Sequence, residues 1–310
     1  MRKTAPAGAD IDIELAGLEL RNPFMLASGI LGETGDLLLA AHRAGAGAVV
    51  TKSIGTEPRD GHKNPCVYQC DSGMLNAMGL PNPGIEEFSK EMRLLKGSRA
   101  VVIGSIFGAK AQDFALLAKK MQGYGAAAVE LNLSCPHAKG YGAEIGSNPA
   151  TVKSITATVV HAVDIPVFAK LTPNTRDICS LGLAAEEAGA AAVVAINTLR
   201  AMAIDPYIRK PVLANRYGGL SGPGIKPVGV RCVFELSEAL SIPIIGVGGI
   251  SSAVDAAEYI MAGASAVQIG TVIQQKGIEV FSKLSEELKE FMSREGFKNI
   301  SQMRGVAHED

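Results

Sequence analysis

Two lysines, three asparagines and a set of glycine turns carry most of the chemistry available to this sequence, and nearly all of them follow short apolar runs. Lys52-Ser53 comes after Ala48–Thr51, Asn132 follows Ala128–Leu131, Lys170 lies within Val167–Leu171, and Asn197-Thr198 follows Ala191–Ala195. Ser28-Gly29 and Ser105 stand at similar places behind Phe24–Ala27 and Ala100–Ile103, while Gly248-Gly249 and Gly270-Thr271 close Pro243–Val247 and Ser265–Ile269. An ammonium stabilises negative charge, a carboxamide offers both a donor and acceptors, and glycine lets backbone N–H groups approach a phosphate. Polar groups of this kind are costly to leave unpaired among apolar residues, so two lysines and two asparagines in equivalent positions call for a ligand.

The elements that must position them recur along the chain. Each of the eight runs is followed by a turn and a helical pattern, as in Gly35–Ala44, Ala111–Gly123, Pro149–Val163, Asp177–Ala188, Val228–Leu240, Ala253–Ala262 and Ile278–Ser293. Continuous apolar strands alternating with amphipathic helices imply a parallel sheet covered on both faces. Eight such units predict a closed α/β architecture, the (β/α)8 TIM barrel, over an open doubly wound sheet. Gly246-Val247-Gly248-Gly249 does not match the dinucleotide fingerprint of that alternative. Helix ends such as Ala44-Gly45-Ala46, Ala188-Gly189-Ala190 and Ala262-Gly263-Ala264 carry a glycine C-cap. Ile11–Leu15 and Leu18–Leu20 alternate around Ala16-Gly17 and read as a hairpin able to plug the barrel floor. Two long spacings, Lys52–Arg99 and Asn197–Ile242, are insertions expected over the catalytic face. No domain boundary is visible, so residues 1–310 are read as one domain, with 1–9 expected to be disordered.

Barrel enzymes place their chemistry at the C-terminal strand ends, with a common phosphate site after strands seven and eight. Gly248-Gly249 and Gly270-Thr271 occupy those two ends, which makes part of the ligand a phosphate. A flavin fits the rest, because a cation near its N1/O2 edge stabilises the anion formed on hydride acceptance. Lys170, in Lys170-Leu171-Thr172-Pro173-Asn174, is the candidate cation; the competing reading is a buried lysine paired with an acid such as Glu130.

Eight motifs then occur in a telling order: Lys52-Ser53, Asn76-Ala77-Met78-Gly79-Leu80 with Asn82-Pro83-Gly84, Asn132-Leu133-Ser134-Cys135-Pro136, Lys170–Asn174, Ile196-Asn197-Thr198, Gly218–Pro223, Gly248-Gly249-Ile250 and Gly270-Thr271. In that order they resemble the dihydroorotate dehydrogenases, over most of the chain. The resemblance implies an FMN-binding barrel that oxidises dihydroorotate to orotate, with Cys135 as the base and hydride passing to the flavin. Lys52, the Asn76–Leu80 segment (Ala77, Met78 and Gly79 included), Asn132, Asn197 and Thr198 would hold the substrate. Ser28, Lys52, Ser53, Ser105, Asn132, Lys170, Ile196, Gly222, Gly248, Gly249, Gly270 and Thr271 would hold FMN. A cysteine rather than a serine as base resembles the class 1 enzymes. Ala201–Asp205 with Lys210–Leu213 resembles the NAD-linked catalytic subunit (type 1B), which works with a second subunit carrying FAD and a [2Fe–2S] cluster, in a heterotetramer built on a catalytic homodimer. A fumarate-linked homodimer is the alternative. His137 and Ser105 depart from many members, and Cys135-Pro136-His137 also resembles the pyrimidine-reducing domain of dihydropyrimidine dehydrogenase. Gly140-Tyr141-Gly142 would give the base loop flexible joints.

Bulk composition narrows the field in the same direction. With 47% apolar residues and a formal charge of −1, the chain supports a large core and lacks the basic footprint of a nucleic-acid binder. Cys66, Cys70, Cys179 and Cys232 read as reduced thiols, with no second pair to complete a zinc or iron–sulfur site. No signal peptide or membrane span is legible, and the protein is expected in the cytoplasm.

Overall fold

The computed structural model describes residues 9–133 and 145–309; Cys135, His137 and the Gly140-Tyr141-Gly142 joint lie outside the described residues, as does nearly all of the N-terminal segment 1–9. Among the described residues, eight parallel strands close a barrel. In chain order these are Phe24–Leu26, Ala48–Val50, Val102–Ile106, Ala128–Asn132, Val167–Lys170, Ala192–Ala195, Ile244–Val247 and Ala266–Ile269, called strands one to eight. Closure comes from strand eight pairing with strand one, Val267 opposite Phe24 and Ile269 opposite Leu26. The chain is therefore a (β/α)8 TIM barrel.

Helices cover the outside, and their ends follow local chemistry. Asn148 caps Pro149–Val160 by accepting from the Thr151 N–H, and Asp177 caps Ile178–Glu187 through Ser180. Ser252 and Asp255 form a reciprocal capping box on Ala253–Met261. The glycines expected to end helices, Gly45, Gly189 and Gly263, do adopt positive φ of 115°, 86° and 113°.

Strand parity sorts the core into two regions. Phe24, Leu26, Val49, Val129, Val193 and Val267 point outward beneath the helices. Met25, Val50, Ile103, Ala128, Phe168, Val194 and Ala266 point inward and pack with Leu15 and Leu20 of the N-terminal hairpin, Ile13–Leu15 and Leu18–Leu20. Ala16 and Gly17 both have positive φ, 50° and 81°, as a tight two-residue hairpin turn requires. The hairpin thus plugs the barrel floor, as its alternation suggested. Two residues further up the same inward-facing rows, the side chains turn polar: Ser105, Glu130, Lys170 and Gln268 are 0%, 0%, 6% and 1% exposed.

One strand needed correction. Strand three runs over Val102–Ile106 rather than ending at Ile103, because Gly104-Ser105 continues the ladder opposite Val129 and Glu130. Gly104 resembles a turn signal, yet it is there for packing: a Cβ would lie 2.9 Å from the Met121 side chain of the covering helix Ala111–Gly123.

The two insertions meet over the barrel mouth. Val67–Cys70 and Gly73–Asn76 from the first pair with Gly218–Ser221 and Leu199–Ala201 from the second, forming one four-stranded antiparallel roof.

Candidate active site

Between roof and polar layer lies a cavity of about 350 Å³, within the range of small-molecule sites. Its wall includes Ser28, Lys52, Ser53, Asn76, Met78, Gly79, Leu80, Asn132, Lys170, Ile196, Asn197, Thr198, Gly222, Gly248, Gly249, Gly270 and Thr271, all singled out by sequence. Among the described residues, two expected ones are not part of that wall. Ala77 turns the other way, into a small cluster with Leu75 and Leu213. Ser105 is fully buried beneath the wall, where its hydroxyl meets Ser53 Oγ at 2.9 Å. Its role is to hold Ser53 rather than to line the cavity.

From Ser53 a chain of hydrogen bonds runs across the mouth. Asn132 Nδ2 donates to Ser53 Oγ at 3.0 Å, and Asn197 Nδ2 donates to Asn132 Oδ1 at 3.4 Å. The Asn197 Oδ1 in turn accepts from the Thr198 N–H at 2.8 Å. Strand ends two, four and six are thereby tied into one polar arc, and the amides are oriented before anything binds. Asn76 lines the cavity from the roof, where its Nδ2 donates to the Gly219 carbonyl of the neighbouring strand at 3.3 Å.

The lysines have carboxylate partners. Lys52 donates to Glu33 at 2.8 Å; the lysine side chain is 9% exposed and the glutamate 62%. Lys170 donates to Glu130 at 3.3 Å and to Gln268 Oε1 at 2.9 Å. The competing reading of Lys170 as a buried, ion-paired lysine therefore holds for its ammonium, and its place on the cavity wall keeps it within reach of a ligand as well. Gln268 and Glu33 were missed. A lone polar residue at an inward-facing position of Ala266-Val267-Gln268-Ile269 was the signal for the first; Glu33, on an irregular loop, offered none.

At the other end of the cavity the turns after strands seven and eight meet the roof. Thr271 Oγ1 donates to Ser221 Oγ at 2.8 Å. Gly249 has φ 72°, and a Cβ there would lie 2.7 Å from the Gly222 carbonyl oxygen. The bare backbone of these turns borders the cavity, the kind of cradle a phosphate group takes. Behind them, Asp255 is held down to about 2: burial alone would raise it, but hydrogen bonds from Lys226, Ser251 and Ser252 outweigh that.

Fold and cavity together define a (β/α)8-barrel enzyme whose site sits at the C-terminal strand ends. A family model described as dihydroorotate dehydrogenase matches residues 11–292, and the chain belongs to that family. It is 52% identical over 301 residues to a protein of Pyrococcus furiosus named dihydroorotate dehydrogenase B (NAD(+)), catalytic subunit, covering 96% of this chain and 98% of the relative. Proteins with the same name from Thermoplasma volcanium and Methanosarcina acetivorans are 51% and 52% identical, covering 96% and 95% of this chain and 99% and 95% of the relatives. No helix among the described residues is long and apolar enough to cross a membrane.

Proposed function

We propose that this chain oxidises (S)-dihydroorotate to orotate in pyrimidine biosynthesis, as the catalytic subunit of an NAD⁺-linked enzyme. The observation that carries the reading is the meeting, in one cavity, of the Ser53–Asn132–Asn197 arc, two lysines and the glycine turns of strands seven and eight. The residues present fit FMN. Gly222, Gly248, Gly249 and Gly270 border the cavity with bare backbone, a Cβ at Gly249 having no room beside the Gly222 carbonyl, and Lys170 lines the same cavity. When bound, FMN supplies a two-electron acceptor for the hydride leaving the substrate.

The chain's own groups do the rest. Gly222, Gly248, Gly249, Gly270 and Thr271 would cradle the phosphate, with Ser28, Ser53 and Ile196 along the rest of the cofactor. Lys52 would take the substrate carboxylate, displacing or sharing Glu33. The amides of Asn76, Asn132 and Asn197, with the Thr198 hydroxyl, would match the donors and acceptors of the pyrimidine ring. Strand four delivers the chain at Asn132 to the cavity, and three residues later comes Cys135, which would remove the proton at C5 as general base. An ordinary thiol titrates close enough to neutrality for this task.

Electrons would then leave through a partner subunit carrying FAD and a [2Fe–2S] cluster; the words "catalytic subunit" in the relatives' names support a partner. Two experiments test the reading. Cys135→Ala should lower dihydroorotate oxidation by about 10²–10⁴-fold while the protein still retains flavin; oxidation at the wild-type rate removes Cys135 from the mechanism. Purification from the native source should bring down an iron-containing subunit that confers NAD⁺ reduction. A homodimer that reduces fumarate by itself would overturn the NAD⁺ assignment.

A further inference from the structure

On the floor of the cavity, three buried side chains from strands four, five and eight close a ring. Lys170 donates to Glu130 Oε1 and to Gln268 Oε1, at 3.3 and 2.9 Å, and Gln268 Nε2 donates to Glu130 Oε2 at 2.6 Å. Each member thus bonds both others. Glu130 is fully buried, and a carboxylate in such a place survives only if paired and hydrogen-bonded. The ring meets that condition, since each of its two oxygens accepts one bond. Two of the three ammonium N–H groups of Lys170 are spent inside the ring, and the third remains for whatever the cavity holds. Inward-facing positions one dyad lower are Ala128, Phe168 and Ala266, so nothing about the barrel core demands charge here. Three apolar residues would pack this layer without the desolvation of an ion pair.

We propose that Glu130 and Gln268 are positioning residues that aim the Lys170 ammonium into the cavity and offset its charge, so that they set how strongly the site stabilises an anionic reduced flavin. This rests on the FMN reading above. The two residues act with opposite sign. Glu130 draws positive charge away from the ligand, whereas Gln268 holds the ammonium off the carboxylate and keeps it aimed at the cavity.

The opposition provides the test. Purified FMN-loaded wild type, Glu130→Gln and Gln268→Leu are compared by spectroelectrochemistry and by titration with sulfite, which adds to oxidised flavin and reports the same anion stabilisation. Flavin retention is followed separately by fluorescence. Glu130→Gln leaves Lys170 without its counter-charge, so sulfite should bind at least tenfold tighter, the scale of one charge removed from roughly 10–12 Å away at an effective dielectric near 20. The same tenfold in a two-electron equilibrium moves the potential upward by about 30 mV. Gln268→Leu lets Lys170 fall back onto Glu130, so sulfite should bind more weakly and the potential should drop. A role in packing alone predicts shifts of one sign, or lost flavin without a shift. If Glu130→Gln does not fold, the downward shift in Gln268→Leu still decides. Variants that retain FMN at wild-type potential overturn this inference alone; a wild-type chain that binds no FMN overturns the flavin reading and this inference with it.

Discussion

At the scale of single residues, the site works by orienting side chains before a ligand arrives. Asn132 is the clearest case, because it donates to Ser53 with one end and accepts from Asn197 with the other. Asn132→Ala cuts the arc at its centre and removes one hydrogen bond from each neighbour. We expect kcat/KM for dihydroorotate to fall about 10- to 100-fold, which corresponds to one or two lost hydrogen bonds to substrate or neighbours. Steady-state kinetics with the flavin content normalised measures it. Most of these residues were legible in the sequence because a polar group ending an apolar strand is conspicuous. Ser105 was legible as a polar group but not as a buried support for Ser53, since sequence does not tell a wall from the layer behind it. Gln268 stands out as a lone polar residue in its strand, but its role is not legible there, because its partners Glu130 and Lys170 lie 138 and 98 positions away along the chain.

At the scale of elements, short-range signals were read well and long-range pairings were not. Helix Ala111–Gly123 has the expected limits, and the others differ from expectation by a few residues at their ends. Strand three was cut short because Gly104-Ser105 carries turn residues, and only the approach of Met121 explains a glycine inside a strand. The roof is expected as two insertions over the mouth, but not as a sheet, since Asn76 pairs with Gly219 across 143 positions of the chain. The helix Ala253–Met261 behind the strand-seven turn offers a test of local electrostatics. Asp255, its N3 residue, is depressed to about 2 against about 3.9 for an unstructured aspartate. A depressed carboxyl stabilises the fold fully above the unfolded value and loses that contribution as pH falls through 4 towards 2. Denaturant titrations should therefore show Asp255→Asn less stable than wild type at pH 6, with the gap closing between pH 4 and 2. A gap that persists unchanged at pH 2 would remove the ionised carboxylate from the explanation.

At the scale of the whole molecule, the barrel is a stack: an apolar plug, an apolar inner layer, a charged inner layer, a cavity and a roof. The plug is separable from the chemistry. Leu15 is fully buried against the inner apolar rows, so Leu15→Ala should lower stability by about 2–5 kcal/mol, read as a drop in Tm, with KM for dihydroorotate unchanged. The roof is not separable in this way. Its strand Gly73–Asn76 lies between Val67–Cys70 of its own insertion and Gly218–Ser221 of the other. Either insertion grafted alone onto a different barrel would arrive with a bare strand edge and an unmatched register. The two segments form one heritable cassette despite their separation along the chain: recombination can exchange them together, and a length change in one survives when the other absorbs it.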